Sequence, residues 1–533
     1  MRFSLIFAML LSESSYLILR LILEEISQIN PRHSRPFDVH RWSDHGEINE
    51  LVHSIFETFS DDERRRIEGK SNNKGRANGF THLKIVLIDL YVAWKVDPEL
   101  SIGLARGNDA YKVNSRYNAL YISPRVRSVV DILSDHRLVE TLGGSYDRKG
   151  TGKFNHTSRI RASAPLCILF KKISIESFQL ELNKNQECII LTDFDTDQEG
   201  NFITVSSGNR TKKKRVLVEY EDDDNTRQIR QELQQYNALL KDTFIDIPTL
   251  EEPYIFRTEA NGVRQKIPID QTQKFVRRIF SRSSWEMNGR FYGGFWQQIS
   301  EDLRRQIYIN DEPTIEVDYK GLHAAMLSSL AGVKVSGDIY DLKSQLLPKL
   351  PKTSQRKAVK ALILAAINAK TSKSAYAAFR DSRDKGSIEK RLTNQELEIL
   401  LNGFVQRNPH LEQSLCSDQG IRLMYLDSQI TAYIINHFTT RGKAILTVHD
   451  SYIIASDDVD LLRDTMKEAT IEVVGRNLQA EQDRLSYKQI HSFKHLDRDY
   501  YLDAMSSQLI SYNRTTQYKE RLERFYLAKK TTS

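Results

Sequence analysis

Two aspartates, Asp318 and Asp450, stand where a carboxylate could do metal chemistry. Asp318 closes the apolar run Thr314–Tyr319 and is followed directly by the helix-forming stretch GLHAAMLSSLAG. Asp450 lies in a His-Asp-Ser triplet with apolar residues on both sides, from Ile445 to Ile454. Two apolar stretches meeting at a polar triplet read as a β-hairpin that turns at the triplet. Carboxylates on adjacent strands can share two Mg²⁺ ions about 3.5–4 Å apart for in-line phosphoryl displacement. One ion would activate the attacking hydroxyl and the other would stabilise the leaving pyrophosphate, with Mn²⁺ an alternative to Mg²⁺.

Between the two acids runs Arg356-x3-Lys360-x3-Leu364-x3-Asn368. That spacing predicts one helical face carrying two cations a turn apart, which suits the triphosphate of a nucleotide. Leu364 and Asn368, further along the same face, could touch its base. Positioning and charge neutralisation are most of what phosphoryl transfer requires of a protein. Taken alone, Arg356 and Lys360 also read as a solvated helix face, and His449–Asp450 as a structural hydrogen-bonded pair.

In this order the segments DYKGLHAAML (from Asp318), R-x3-K-x7-N (from Arg356) and VHDSY (from Val448) resemble motifs A, B and C of family A DNA polymerases and phage-type single-subunit RNA polymerases. Glu286–Tyr292, EMNGRFY, is similar to their x-x-G-R element, and Leu426–Gln429 resembles a segment used near the primer end. The resemblance covers about residues 270–475. It implies that Asp318, Asp450 and the backbone carbonyl of Tyr319 bind the metals. It implies that Lys360 contacts the triphosphate and protonates pyrophosphate, that Arg356 holds the γ-phosphate, and that Arg290, His449 and Gln429 meet the primer–template. The chain departs from the families at Asn368, where they carry Tyr, and at Ala369, where they carry Gly. His323 occupies the position that discriminates sugars in these families; its bulk favours deoxynucleotides, while the HDS and GRFY segments look more like the RNA enzymes.

Upstream, residues 82–165 predict a winged helix-turn-helix. The order is a helix at Leu83–Trp94, a short second helix at about 114–122, a third helix opened by Ser123-Pro124, and a two-stranded ribbon whose tip is the loop 147–153. The segment holds 13 Lys/Arg against 8 Asp/Glu, a net +5 of the chain's +7. Arg125 and Arg127 on the helix, and Arg148, Lys149 and Lys153 on the wing, are placed to neutralise DNA phosphates. A small α+β domain with a basic face, or a protein-docking module, fits the same pattern.

The expected architecture is therefore α+β, with an antiparallel palm sheet and helical fingers behind the winged helix. The expected divisions are a helical extension (1–80), the winged helix (81–165), a β-containing connector (166–270) and palm with fingers (271–533). Within the connector, Asp193, Asp195 and Asp197 read as a solvated turn, Lys212–Arg215 as a charge run able to track a phosphate backbone, and 226–240 as a helix. Residues 60–79 read as a polar linker. Nothing before residue 270 resembles the spaced carboxylates of a proofreading exonuclease.

The chain's 533 residues, with 24 Gly, 12 Pro and 9% aromatic content, exclude collagenous and low-complexity material. Three scattered cysteines exclude a disulfide framework and a zinc ribbon. The apolar segment Phe3–Leu11 is broken by Ser12–Ser15, so no membrane span is expected and a reducing cytoplasm is the default. The expected function is template-directed nucleotidyl transfer, most readily DNA synthesis from a primer on behalf of a mobile element, plasmid or virus. The expected partners are duplex DNA, primer–template and nucleoside triphosphates. The alternatives are an RNA polymerase or primase of the same fold, a template-independent transferase, and a non-enzymatic replication initiator with a degenerate palm.

Overall fold

The computed structural model describes residues 28–532 apart from 69–77, 108–109, 147–153, 181–185, 208–209, 259–263, 336, 493–501 and 503–512. The protein is a mixed α+β chain with several small sheets, and it divides into two compact units. One comprises residues 1–187, 250–272 and 520–533, the other 188–249 and 273–519. The segment expected to be one connector, 166–270, is shared between them.

The first unit is built around α3 (Gly79–Val96), which follows α1 (Gly46–Glu57) and α2 (Asp61–Glu68). Every residue of α3 from His82 to Ala93 is buried, so the helix is a central spine rather than a surface element. Asn78 caps it, its side chain accepting from the Thr81 N–H at 2.7 Å. Asp89, fully buried in mid-helix, accepts from Arg35 at 2.6 Å and from the Asp38 N–H at 3.0 Å, with Arg41 at 3.3 Å. A buried carboxylate is tolerable only with partners of this kind. Ile48, Val52, Ile55 and Ile67 of α1 and α2 join Leu83, Val86 and Leu90 in one core, so the expected boundary at residue 80 does not divide that core. The expected linker at 60–79 is helical over its first half. DDERRRIE places acids in the first turn and arginines in the last, matching the helix dipole.

Strands β1 (Ser34–Pro36), β2 (Ser101–Leu104), β3 (Val139–Leu142) and β4 (Ser158–Ala162) form a sheet in the order β1-β2-β4-β3. The expected short helix at 114–122 is a chain of turns. The Asn118 side chain competes with regular structure there, donating to Lys112 O (3.1 Å) and Ile122 O (2.8 Å) and accepting from the Ile122 N–H (2.9 Å). The next helix, α4 (Val126–Asp135), begins later than Ser123-Pro124 predicts, with Arg125 at the cap. Buried His82 pins its entrance, accepting at Nε2 from the Ser123 N–H (2.9 Å) while Nδ1 donates to Asn78 O (2.7 Å).

Two larger sheets of the second unit position the site. In the first, β5 (Ile189–Phe194), β6 (Arg215–Leu217), β8 (Arg277–Ser281) and β9 (Ser284–Tyr292) run in the order β9-β8-β5-β6. In the second, β7 (Ile245–Asp246), β10 (Tyr308–Ile309), β11 (Glu312–Tyr319), β12 (Ile445–Val448) and β13 (Ser451–Ala455) run β12-β13-β11-β10-β7, and β14 (Ala480–Gln482) also pairs with β11. Helix α5 (Asp224–Lys241) forms as 226–240 predicts, with Asp223 capping it. Helices α6 (Leu322–Leu330), α7 (Lys352–Asn368), α8 (Gly420–Thr439) and α9 (Val459–Val474) complete what positions the site. Among the described residues, no helix is long and apolar enough to cross a membrane.

Candidate active site

The strand β11 pairs antiparallel with β13 over five positions, setting Asp318 opposite Ser451. Strands β12 and β13 join through the two-residue turn His449–Asp450, closed by the Val448–Ser451 pair. Asp450 therefore stands next to the residue that faces Asp318. The Tyr319 N–H donates to Asp450 O at 3.4 Å across the junction. His449 holds φ at +57°, a left-handed conformation that a non-glycine residue adopts at a cost. The cost falls at the point where the turn must be tightest.

Electrostatics describe the same convergence. Partial desolvation, then the charges of Asp450 and Glu316, push the Asp318 carboxyl up to about 7, and Lys360 pulls the other way. A neighbouring carboxylate disfavours the charged form and adds to the cost of burial. Glu316 is committed elsewhere, accepting from Arg304 Nε and Nη2 at 3.0 Å and from Ser451 Oγ at 2.6 Å. Among the described residues no group of three or more His, Cys, Asp or Glu side chains could hold a metal ion. Asp318 and Asp450 form a two-carboxylate pair, the kind of set that binds Mg²⁺ together with substrate phosphates and water.

Helix α7 buries Gln355, Ala358, Val359, Leu362, Ile363, Ala366 and Ile367. Its opposite face presents Arg356, Lys360 and Asn368 to solvent with Leu364 half-buried, as the spacing predicts. Lys360 lies within electrostatic reach of Asp318. Arg356 is ion-paired with Asp338. Asn368, expected to reach the nucleotide, turns its amide back to Leu364 O at 2.7 Å in a helix-end hydrogen bond.

Arg290 lies on β9 just after a bulge in which Asn288 and Gly289 both have positive φ. A side chain at Gly289 would meet Ser428 Oγ at 2.6 Å and the Phe280 ring at 2.9 Å, because α8 packs closely there. Arg290 Nε donates to Asp427 Oδ2 at 2.6 Å, and Nη2 lies at 2.6 Å from the same oxygen. Nη2 also reaches His323 Nε2 at 3.3 Å. His323, in the first turn of α6, is held down to about 4 by burial and the Arg290 charge, so its ring is neutral. Burial and Arg290 lower the His449 pKa too, and its ring meets Tyr292 edge-on with centroids 6.3 Å apart. Gln429 instead accepts from Arg278 at 3.4 Å.

Sequence reasoning passed over Asp427, although it lies in the segment singled out for Gln429. It also passed over Tyr340, whose buried hydroxyl has no hydrogen-bond partner among the described residues and whose ring lies 3.1 Å from where a Gly321 side chain would begin. Tyr340 sits in an irregular stretch that no periodic pattern marks.

In the first unit, Arg125 is half-buried, and Arg127 donates to Pro124 O at 3.0 Å and to Arg106 O, so part of its binding capacity is spent on the loop. Arg148, Lys149 and Lys153 lie outside the described residues. Asp195 pairs with Lys214 at 2.6 Å and Asp197 accepts from the Glu199 and Asn201 N–H groups, which makes both structural.

No protein-family model matches the chain, and no curated protein matches it. Among solved structures it is similar to the POL domain of Pol1 from M. smegmatis in complex with DNA primer-template and dNTP, at 10% identity and a TM-score of 0.27. The match covers 48% of this chain and 51% of that one, so the chain spans about half the length of that structure. A likeness this distant assigns neither fold nor function.

Proposed function

We propose that the second unit is the palm and fingers of a nucleotidyltransferase that extends a DNA primer on a template. The observation that carries the reading is the register of β11 on β13, which sets Asp318 beside Asp450 at the head of a hairpin while Lys360 faces them from α7. Asp318, Asp450 and the Tyr319 carbonyl are the proposed Mg²⁺ ligands, with Mn²⁺ as a substitute. The raised Asp318 supports this, since a divalent cation would offset both the burial cost and the neighbouring negative charges that raise it. When bound, the metal supplies Lewis-acid stabilisation of phosphoryl oxygens and a more acidic attacking hydroxyl.

The chain's own residues do the rest. Lys360 and Arg356 neutralise the triphosphate from the open face of α7, and Lys360 is placed to give a proton to the departing pyrophosphate. Arg290 and His449 orient the primer end, and neutral His323 crowds the sugar position in favour of deoxynucleotides.

The first unit is proposed as a winged-helix module for duplex DNA. The sheet order β2-β4-β3 and the placement of α4 directly before the β3–β4 ribbon support it. Its binding should weaken steeply with salt.

The test is extension of a labelled primer on a defined template by the purified chain with Mg²⁺ and dNTPs, followed by sequencing of the product. Template-complementary product is expected. Product independent of the template would make the chain a terminal transferase, and no product with dNTPs or NTPs would overturn the reading.

A further inference from the structure

Arg290 is held by two elements other than its own strand. Its Nε and Nη2 both go to one oxygen of Asp427 on α8, and Nη2 also meets the ring of His323 on α6. A guanidinium has five N–H donors in a rigid plane, so fixing Nε and Nη2 fixes the direction of the whole fork. Nη1 makes no hydrogen bond among the described residues, and the side chain keeps 15% of its surface open. On the acid side, Asp427 is fully buried and its Oδ1 has no hydrogen-bond partner among the described residues. An ion pair built only for stability would use both oxygens and both ends of the fork, because each buried polar group left unmade is costly. This pair instead spends one carboxylate oxygen on setting a direction.

His323 is fixed by the same contact. Accepting from Arg290 at Nε2 places its proton on Nδ1 and sets the plane of its ring. One guanidinium thus connects the side chain proposed to grip the primer end with the one proposed to face the incoming sugar.

We propose that Asp427 is a positioning residue that aims the Arg290 guanidinium, leaving Nη1 for the primer–template and using Nη2 to hold His323 at the sugar of the incoming nucleotide. The proposal rests on the nucleotidyl-transfer reading above and adds to it that primer grip and sugar choice are set together. Asp427→Asn keeps the shape and removes the charge that directs the fork. It should raise the Kd for primer–template about tenfold and shift the deoxy-to-ribo incorporation ratio by about the same factor.

The experiment measures both quantities for the wild-type chain, D427N, R290Q and R290Q/D427N, with Asp427→Glu as the conservative rescue. The double variant leaves no unpaired buried charge, so it also serves if D427N alone fails to fold. If Asp427 acts only through Arg290, R290Q and R290Q/D427N behave alike and D427N changes nothing that R290Q does not. D427E should recover part of both losses. The proposal is overturned if R290Q shifts binding and sugar choice while D427N, folded, shifts neither. It is also overturned if the two effects multiply in the double variant. A wild-type chain that neither binds primer–template nor extends it would instead remove the reading underneath, and the proposal with it.

Discussion

The backbone N–H of Tyr319 donates to the carbonyl of Asp450 at 3.4 Å. This bond ties the end of β11 to the turn between β12 and β13, and so holds two acids far apart in the chain at one sheet end. Asp318→Asn and Asp450→Asn should each lower primer extension by roughly 10³-fold, the loss of several kcal/mol of charge stabilisation. Their melting temperatures should stay at or above wild type in metal-free buffer, because each substitution removes a repelling charge. Single-turnover extension and thermal melts check both halves.

Metal binding should carry a proton signature. Asp318 stands at about 7 without metal, so below that pH a cation must displace a proton to bind. The Mg²⁺ concentration for half-maximal extension should therefore rise about tenfold per pH unit as pH falls below 7. The stability sign is the opposite of the usual carboxylate case. A pKa raised on folding stabilises the folded chain below the unfolded value near 3.8, and that contribution is lost as pH rises through about 7. From this group alone, metal-free protein should melt lower at pH 8 than at pH 5; Mg²⁺ should narrow the difference and D318N should flatten it.

Gly289→Ala should cost about 1–3 kcal/mol in urea unfolding. The residue sits at φ +78°, and its Cβ would come within 2.6 Å of Ser428 Oγ. The clash falls on the β9–α8 contact that carries Arg290, so primer binding should weaken along with stability.

In the first unit, His82 is held neutral by burial, its pKa lowered, with Nε2 accepting from Ser123. A depressed histidine contributes stability above its unfolded value near 6.5 and loses it as pH falls through the lower folded value. Acid should therefore loosen the entrance of α4 first. Hydrogen exchange at the Ser123 amide between pH 7 and pH 5, corrected for intrinsic rates, reads it directly.

The elements that carry the site were the most legible in the sequence. β11, the β12–β13 hairpin and α7 have long apolar patterns with the period of their own structure, and the acids and cations sit at fixed places within them. What escaped was short or non-periodic. β2 and β14 span four and three residues, too few to alternate visibly. α2 buries only Ile67, so its helix rests on charge placement rather than on an apolar stripe. The Asn118 turns replaced an expected helix through side-chain hydrogen bonds that no hydropathy pattern contains. Asp427 was hidden for another reason: its partner, Arg290, is 137 residues away, and only the packing of α8 on β9 makes a pair of them.

The spine α3 leaves no face to spare, since it is enclosed all round and still threads Asp89 between two arginines. Each residue added to a helix turns everything after it by about 100°. A single inserted codon near Leu83 would swing Asp89 away from Arg35 and Arg41 and drive a carboxylate into hydrocarbon, while point replacements on the same helix would be felt only locally. Tolerance in this unit should therefore be far lower for changes in length than for changes in identity.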